Sequence, residues 1–353
     1  MVMKTLTLFS DANVAIPAST SWYLDTLGEF RGKQELYTRQ SPQKLKVLRE
    51  HAMIESAVSS NRIEGVSMET SRIQSVLVAT QPLFRDRDEE EIRGYRDALA
   101  WIHDHAADIP LDEDSLKRMH AMARGQVWDA GKYKERDGDI VERYADGKER
   151  IRFKPTRARD TVAEMGKLID TWKRCAQERW VPPAVATAAF NLDFLCVHPF
   201  RDGNGRVSRL ALLLQTYHAG MEVGRYISLE RLIEQNKDRY YETLERCSVG
   251  WHEGRHDPWP FINYILSILK SAYQEFEERV GQLAEPKGAK AELVRSAVRK
   301  CRGEFRLSDI ERACPGVGRE WIRNVLADMK KAGELKCTGR GVAARWSNTA
   351  KQG

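Results

Sequence analysis

The stretch PPAVATAAFNLDFLCVH, residues 182 to 198, constrains the fold more than any other. Its apolar side chains leave almost no polar face at helical spacing, so it predicts a central helix buried on nearly all sides. Helical patterns surround it. They begin at about Trp22, run from about Pro42 through LKVLREHAMIESAVSS, and restart after a break at Ser67-Met68-Glu69-Thr70. They return in EIRGYRDALAWIHDHA, in LDEDSLKRMHAMARG and from Arg157 onward. RDRDEEE, from Arg85 to Glu91, carries acids that suit a helix N-terminus. One segment breaks the rule. KERDGDIVERYADGKERIRFKP has two short alternating runs, around Ile140-Val141 and Ile151-Phe153, bridged by Asp146-Gly147. That is a hairpin signal. A lone hairpin has little stability of its own, so this one is expected to cover something. The fold class is mostly α.

The buried helix runs into HPFRDGNGRVSR, residues 198 to 209. Pro199 disfavours helix at His198, and a new helix begins near Asn204, ending at Gly220. The glycines Gly203 and Gly205 therefore lie at a helix N-terminus, where free N–H groups and the dipole attract anions. Arg206 and Arg209 are three apart, on one face of the first turns. Two guanidiniums beside such a nest suit a polyphosphate. Asp202 would repel phosphate unless a divalent cation bridged them, which suggests Mg²⁺. His198 can take a proton near neutral pH. Taken singly, each piece reads as a cap or a turn. Together they describe nucleotide-dependent group transfer.

The stretch resembles the signature of the Fic family, H-x-F-x-D/E-G-N-G-R-x-x-R, at every defined position. GKYKERDGDIV resembles the approach to that family's flap hairpin, and ISLERLIEQNKDRYYETL resembles the helix that supplies a tyrosine pair to adenine. The resemblance covers about residues 90 to 270 and implies transfer of AMP from ATP to a Ser, Thr or Tyr hydroxyl of a target protein. It implies that His198 is the base and that Asp202 holds Mg²⁺. Gly203, Asn204 and Gly205 would cradle the phosphates, Asn204 also through its side chain, and Arg206 and Arg209 would grip the distal ones. The flap residues Ile140, Val141, Glu142 and Arg143 would pin the target by strand addition. Phe200 would anchor the loop. Tyr240 and Tyr241 would flank the base, although one of the pair serves equally well as core. Some relatives carry an Asn one turn beyond the tyrosines; Arg246-Cys247-Ser248 stands here instead. Gly205 is intact, which disfavours the phosphorylating branch that has Lys there.

SSNRIEG, residues 59 to 65, resembles the family's inhibitory pattern through Ser60, Glu64 and Gly65. Glu64, near a helix end, would pair with Arg209 and repel the incoming γ-phosphate. The resemblance thus implies a chain that restrains itself from its N-terminal side.

Charge separates off the C-terminal segment. Lys287 to Gly353 holds 16 Lys/Arg and 7 Asp/Glu, a net +9 in a chain whose total is +6, leaving −3 for the rest. AELVRSAVRK, RLSDIERACPGVGREWIRNVLADMKKAGEL and KCTGRGVAARWS read as three helices and a hairpin, with Ser308 capping the second helix and Trp321 among the apolar residues of the third. This resembles a winged helix, with Arg319, Arg323, Asn324 and Arg340 as candidates for DNA contact. A protein-docking or homodimer module fits equally. Expected units are 1–85, an N-terminal helical region with the inhibitory helix; 86–280, the catalytic core; and 287–353, the winged helix, with Pro286-Lys287-Gly288 as linker. The rival readings are the reverse reaction, with Glu64 orienting water, and a nucleotide-sensing DNA-binding regulator. No apolar run approaches the ~20 residues of a membrane span, the first residues make a poor signal peptide, and six cysteines without CxxC spacing fit a reduced state. The expected compartment is the cytoplasm, with no membrane partner.

Overall fold

The computed structural model describes residues 5–11, 14–40, 42–80, 82–143, 149–282, 289–301, 303–315, 317–339, 341 and 344–349. Its α-helices are α1 (Thr5–Leu8), α2 (Ala18–Gln40), α3 (Pro42–Ile63), α4 (Arg87–His105), α5 (Glu113–Arg124), α6 (Ala158–Glu178), α7 (Pro183–Val197), α8 (Asn204–His218), α9 (Leu229–Gln235), α10 (Lys237–Ser248), α11 (Trp259–Gln282), α12 (Ala289–Lys300), α13 (Leu307–Ala313) and α14 (Arg319–Lys331). The strands are β1 (Ile140–Arg143), β2 (Glu149–Phe153), β3 (Glu304–Phe305), β4 (Leu335–Thr338) and β5 (Arg345–Asn348). The fold is mostly helical, with two small antiparallel sheets. Among the described residues no helix is long and apolar enough to cross a membrane.

Helix α7 is the centre. Every residue from Ala184 to Val197 is buried, and α1, α6, α8, α10 and α11 pack around it. Of its three buried polar residues, Asn191 and Asp193 are satisfied, whereas the Thr187 hydroxyl has no hydrogen-bond partner among the described residues. Asn191 accepts from Ser208 Oγ (2.8 Å) and donates to Gln215 Oε1 (2.9 Å). Asp193 accepts from Thr5 N–H (3.1 Å), Leu6 N–H (3.1 Å) and the Trp251 indole (2.7 Å). A buried carboxylate without such donors would be costly; here it ties α1 to the central helix.

Among the described residues, those before 86 share the core of the rest of the helical bundle. Leu6, Leu27, Leu48 and Val58 join the same apolar cluster as Phe190 and Leu210. Helix α3 packs on α4, α8 and α9, which brings its C-terminal end to the start of α8. The helix expected after residue 70 is instead a 3-10 turn at Thr70–Arg72 and a π turn at Gln74–Val78. The carbonyls of Val76 and Ala79 go to the Arg93 guanidinium (2.9 and 2.8 Å), which closes this short segment off as turns.

The β1–β2 hairpin pairs Val141 with Ile151. Its expected tip, Asp146-Gly147, lies outside the described residues, as do Arg340 and the linker Pro286-Lys287-Gly288. The C-terminal segment has a second apolar cluster around Val298, Ile310, Ile322, Leu326 and Met329, beside a sheet of order β3-β5-β4. Strand β3 had no counterpart in the sequence reading. Two details there also differ from expectation. Ser308 does not cap α13, which starts one residue earlier; the Asp309 carboxylate instead accepts the Arg306 N–H (2.7 Å). Trp321 is 46% exposed, so it is not core. Helix α12 rests on α3.

Candidate active site

The motif loop joins the end of α7 to the start of α8. His198 closes α7 in the left-handed region, φ 51 and ψ 60, and Gly203 precedes α8 at φ 78. A side chain is strained in that region, and at Gly203 a Cβ would also meet Arg124 Cδ at 3.0 Å. The loop is held from inside. Phe200 is fully buried and stacks on His120, ring centroids 3.9 Å apart. The Asn204 side chain accepts the Phe200 N–H (2.9 Å) and donates to the Phe200 carbonyl (2.8 Å). The Asn204 side chain thus clasps the loop, with one further Nδ2–H beyond the bond to Phe200.

His198 presents one nitrogen. Its Nδ1 lies 3.3 Å from the Leu195 carbonyl, an acceptor, so Nδ1 carries the proton and Nε2 keeps its lone pair. Burial pushes the imidazole pKa down to about 4, and the Lys134 ammonium adds to the effect. At neutral pH the ring is an unprotonated base. It lines two cavities at once. One, about 290 Å³, is bounded by Glu64, Leu195, Gly205, Tyr240 and Tyr241; the other, about 550 Å³, by Trp128, Lys132, Tyr133, Arg136 and Arg201. Ile140 of the hairpin also lines both.

The two arginines differ. Arg209, 3% exposed, donates from Nε to Ser60 Oγ (2.9 Å), and from Nη2 to the Ser60 carbonyl (3.0 Å) and Glu64 Oε1 (2.8 Å). The structure thus brings together Ser60, Glu64 and Arg209 from α3, its end and α8. A Cβ on Gly205 would collide with Glu64 Oε1, so the carboxylate lies directly against the N-terminus of α8. Arg206 is 1% exposed and paired with Glu91, with Asn61 Oδ1 at 3.3 Å. In this arrangement its Nη1 bonds make it a strut between α4 and α8, while its Nε has no hydrogen-bond partner among the described residues.

Asp202 is well exposed, its side chain at 59%. Burial raises its carboxyl pKa, but Arg124 at 2.8 Å and Arg206 at 3.8 Å outweigh this and hold it below the usual range. No group of three or more His, Cys, Asp or Glu among the described residues forms a metal cage. A Mg²⁺ with one carboxylate fits, because that ion takes its remaining ligands from phosphates and water. Tyr240 packs on Phe261 and Tyr264, and Tyr241 places its hydroxyl 3.4 Å from the Ile63 carbonyl. Both still line the smaller cavity, so Tyr240 serves the core and the cavity wall together. Val141 is exposed and Glu142 pairs with Arg150 (3.0 Å).

Four residues escaped the sequence reading. Glu91, buried, accepts from Arg87 (2.8 Å), Arg124 (2.7 Å) and Arg206. Arg124 connects it to Asp202. His120 accepts the Gly131 N–H on Nδ1 (2.8 Å), so its other nitrogen donates to the Asp202 carbonyl (3.0 Å). Lys134 binds carbonyls of the motif. Each lies 64 or more positions from its motif partner, and nothing local marks it.

Residues 110–216 match the model of the Fic/DOC family. This segment is therefore similar to Fic domains. The chain is 22% identical over 216 residues to the protein adenylyltransferase fic-1 of Caenorhabditis elegans, a match covering 61% of this chain and 39% of that one. The chain therefore spans well under half the length of this curated relative. Among solved structures, a Fic family protein from Desulfovibrio desulfuricans aligns with a TM-score of 0.62 at 23% identity, over 96% of this chain and 98% of its own. A Fic domain containing signaling protein from Bacteroides thetaiotaomicron aligns at 0.58 and 22%, over 75% and 97%. At these identities the likeness establishes the fold.

Proposed function

We propose that this protein transfers AMP from ATP to a Ser, Thr or Tyr hydroxyl of a target protein, and that Glu64 restrains it. The observation that carries the reading is the imidazole of His198 standing between two cavities. The smaller holds the N-terminus of α8 and the tyrosine pair, and suits the nucleotide. The larger, behind the hairpin, suits the target. His198 Nε2 takes the hydroxyl proton, the oxygen bonds to the α-phosphorus, and the bond to the bridging oxygen breaks to release pyrophosphate. The first N–H groups of α8 have no intrahelical carbonyl and would meet phosphate. Arg209 would bind the γ-phosphate once Glu64 leaves. Asp202 would hold Mg²⁺, which supplies charge neutralisation of the phosphates. The hairpin residues Ile140 to Arg143 would carry the target segment by strand addition.

The C-terminal segment is read as a winged helix with affinity for DNA. Arg319, Arg323 and Asn324 are exposed on α14, although Glu311 and Glu320 neutralise the two arginines in part (3.2 and 2.6 Å). A second copy of the chain is the alternative partner of this face.

The test is mass spectrometry of the purified protein, and of a lysate incubated with it, Mg²⁺ and ATP, searching for added AMP, with His198→Ala as control. Addition of AMP that needs His198 supports the reading. Loss of AMP from a modified protein, dependent on Glu64, would replace it with the reverse reaction. No change in either direction would leave a nucleotide-sensing role.

A further inference from the structure

We propose that Lys134 is a positioning residue for His198, holding the strained turn that aims the imidazole and placing a cation beside it. This rests on the reading of His198 as the base. The carbonyls of three successive residues end on Lys134. Its Nζ donates to Val197 (3.2 Å) and His198 (2.8 Å), and its backbone N–H donates to Pro199 (2.8 Å). These carbonyls follow the C-terminal end of α7, where the helix dipole favours a cation. Among the described residues only His198 and Arg179 have positive φ without being glycine. Arg179 is an exposed helix end, whereas His198 sits inside the site, and left-handed backbone is strained for a residue that carries a side chain. Strain of that kind persists only where the surroundings fix it.

The cation is the unexpected part. Lys134 is 8% exposed, and among the described residues no ion pair joins its ammonium to a carboxylate. Burial lowers its pKa to about 8, against a weaker pull upward from Asp137. A neutral donor would bind carbonyls at less desolvation cost, so a charge kept here has another use. Of the charged groups facing His198, Glu64 and Asp202 favour its protonation, and Lys134 opposes it alongside burial. The ammonium therefore offsets two carboxylates that the site needs for other purposes. The loop keeps a separate tie through His120 and the Asp202 carbonyl, so removing Lys134 does not by itself release the fold.

The experiment compares wild type, Lys134→Gln, Lys134→Met and Lys134→Arg in the full chain. Glutamine keeps a donor without charge; methionine keeps neither. The first readout is the titration of His198 in ¹⁵N-histidine NMR spectra, which needs no activity. The His198 pKa should rise by roughly one unit in Lys134→Gln and Lys134→Met and return toward about 4 in Lys134→Arg. The second readout is transfer kinetics. We expect kcat to fall about tenfold in Lys134→Met, with KM for ATP within about twofold, the acid limb of the profile moving with the NMR pKa and arginine restoring both. An unmoved His198 titration in Lys134→Gln would overturn the inference. So would a loss in kcat and KM together that arginine does not rescue. If wild type transfers no AMP, the reading of the reaction fails, but the titration still decides what Lys134 does to His198. Should Lys134→Met not fold, the Gln and Arg variants carry the same contrast.

Discussion

Replacing Glu64 by glycine should release the site. Glu64 and Arg209 are 145 positions apart in sequence and 2.8 Å apart in the fold. The Arg209 side chain is 2% exposed and that of Glu64 27%, so solvent screens the pair only in part. Glu64→Gly leaves Arg209 bonded to Ser60 Oγ and the Ser60 carbonyl, and the guanidinium should keep its place while one donor is freed. A hydrogen bond to a charged group is worth about 1.5–3 kcal/mol, which corresponds to roughly ten- to a hundredfold in the productive occupancy of a γ-phosphate. Clearing the carboxylate from Gly205 adds a steric release in the same direction. The assay is transfer from α-labelled ATP with Mg²⁺ by wild type, Glu64→Gly, Arg209→Ala and the double variants with His198→Ala. ATP affinity is measured separately in the His198→Ala background, where no turnover consumes the ligand. Glu64→Gly should raise both affinity and incorporation, and Arg209→Ala should lose activity with or without Glu64. An affinity for ATP equal to wild type in Glu64→Gly would refute the argument, because the pair would then impose no cost on binding.

His198→Ala should keep nucleotide binding and lose transfer by ~10² to 10⁴; transfer at the wild-type rate would remove His198 from the mechanism. Asn204→Ala should act on stability. It leaves the buried Phe200 N–H and carbonyl unpaired, costing roughly 2–3 kcal/mol, and calorimetry should show a Tm lower by several degrees. Acid should destabilise the protein through its buried histidines. Burial lowers the pKa of His103 to about 3, and of His120 and His198 to about 4. The unfolded chain, with histidines near ~6.5, then binds more protons, so stability falls as pH drops from about 6.5 toward 4, by roughly 2 kcal/mol per histidine at pH 5. Urea unfolding at pH 7.5 and 5 tests this; equal stabilities would count against it. Arg319→Ala with Arg323→Ala should weaken binding to duplex DNA and flatten its salt dependence while AMP transfer persists; a wild type without DNA affinity at low salt would make α14 a protein-docking face.

What could be read from sequence was local. The apolar run at Pro183–Val197 announced its burial, because no helical rotation of it offers a polar face to water. The hairpin and the start of α8 were legible from glycine placement and alternation. What was hidden depended on distance. Arg206 reads as a free guanidinium until α4 folds Glu91 against it. The π turn at Gln74–Val78 depends on a guanidinium on α4, and the three carbonyls over Lys134 exist only once α7 ends where it does. In each case the deciding partner lies far off in the chain, and the type of residue alone does not say which partner it will meet.

Glu64 and Arg209 belong to one polypeptide, and this sets how the proposed restraint behaves with dose. A tethered carboxylate has an effective concentration fixed by geometry. Making more of the protein, or diluting it, leaves the fraction restrained unchanged. Nucleotide can compete for Arg209 only by exceeding that local concentration, so the response to ATP should saturate late and be independent of copy number. An inhibitor supplied on a separate chain would behave oppositely, escaping at low abundance and accumulating at high.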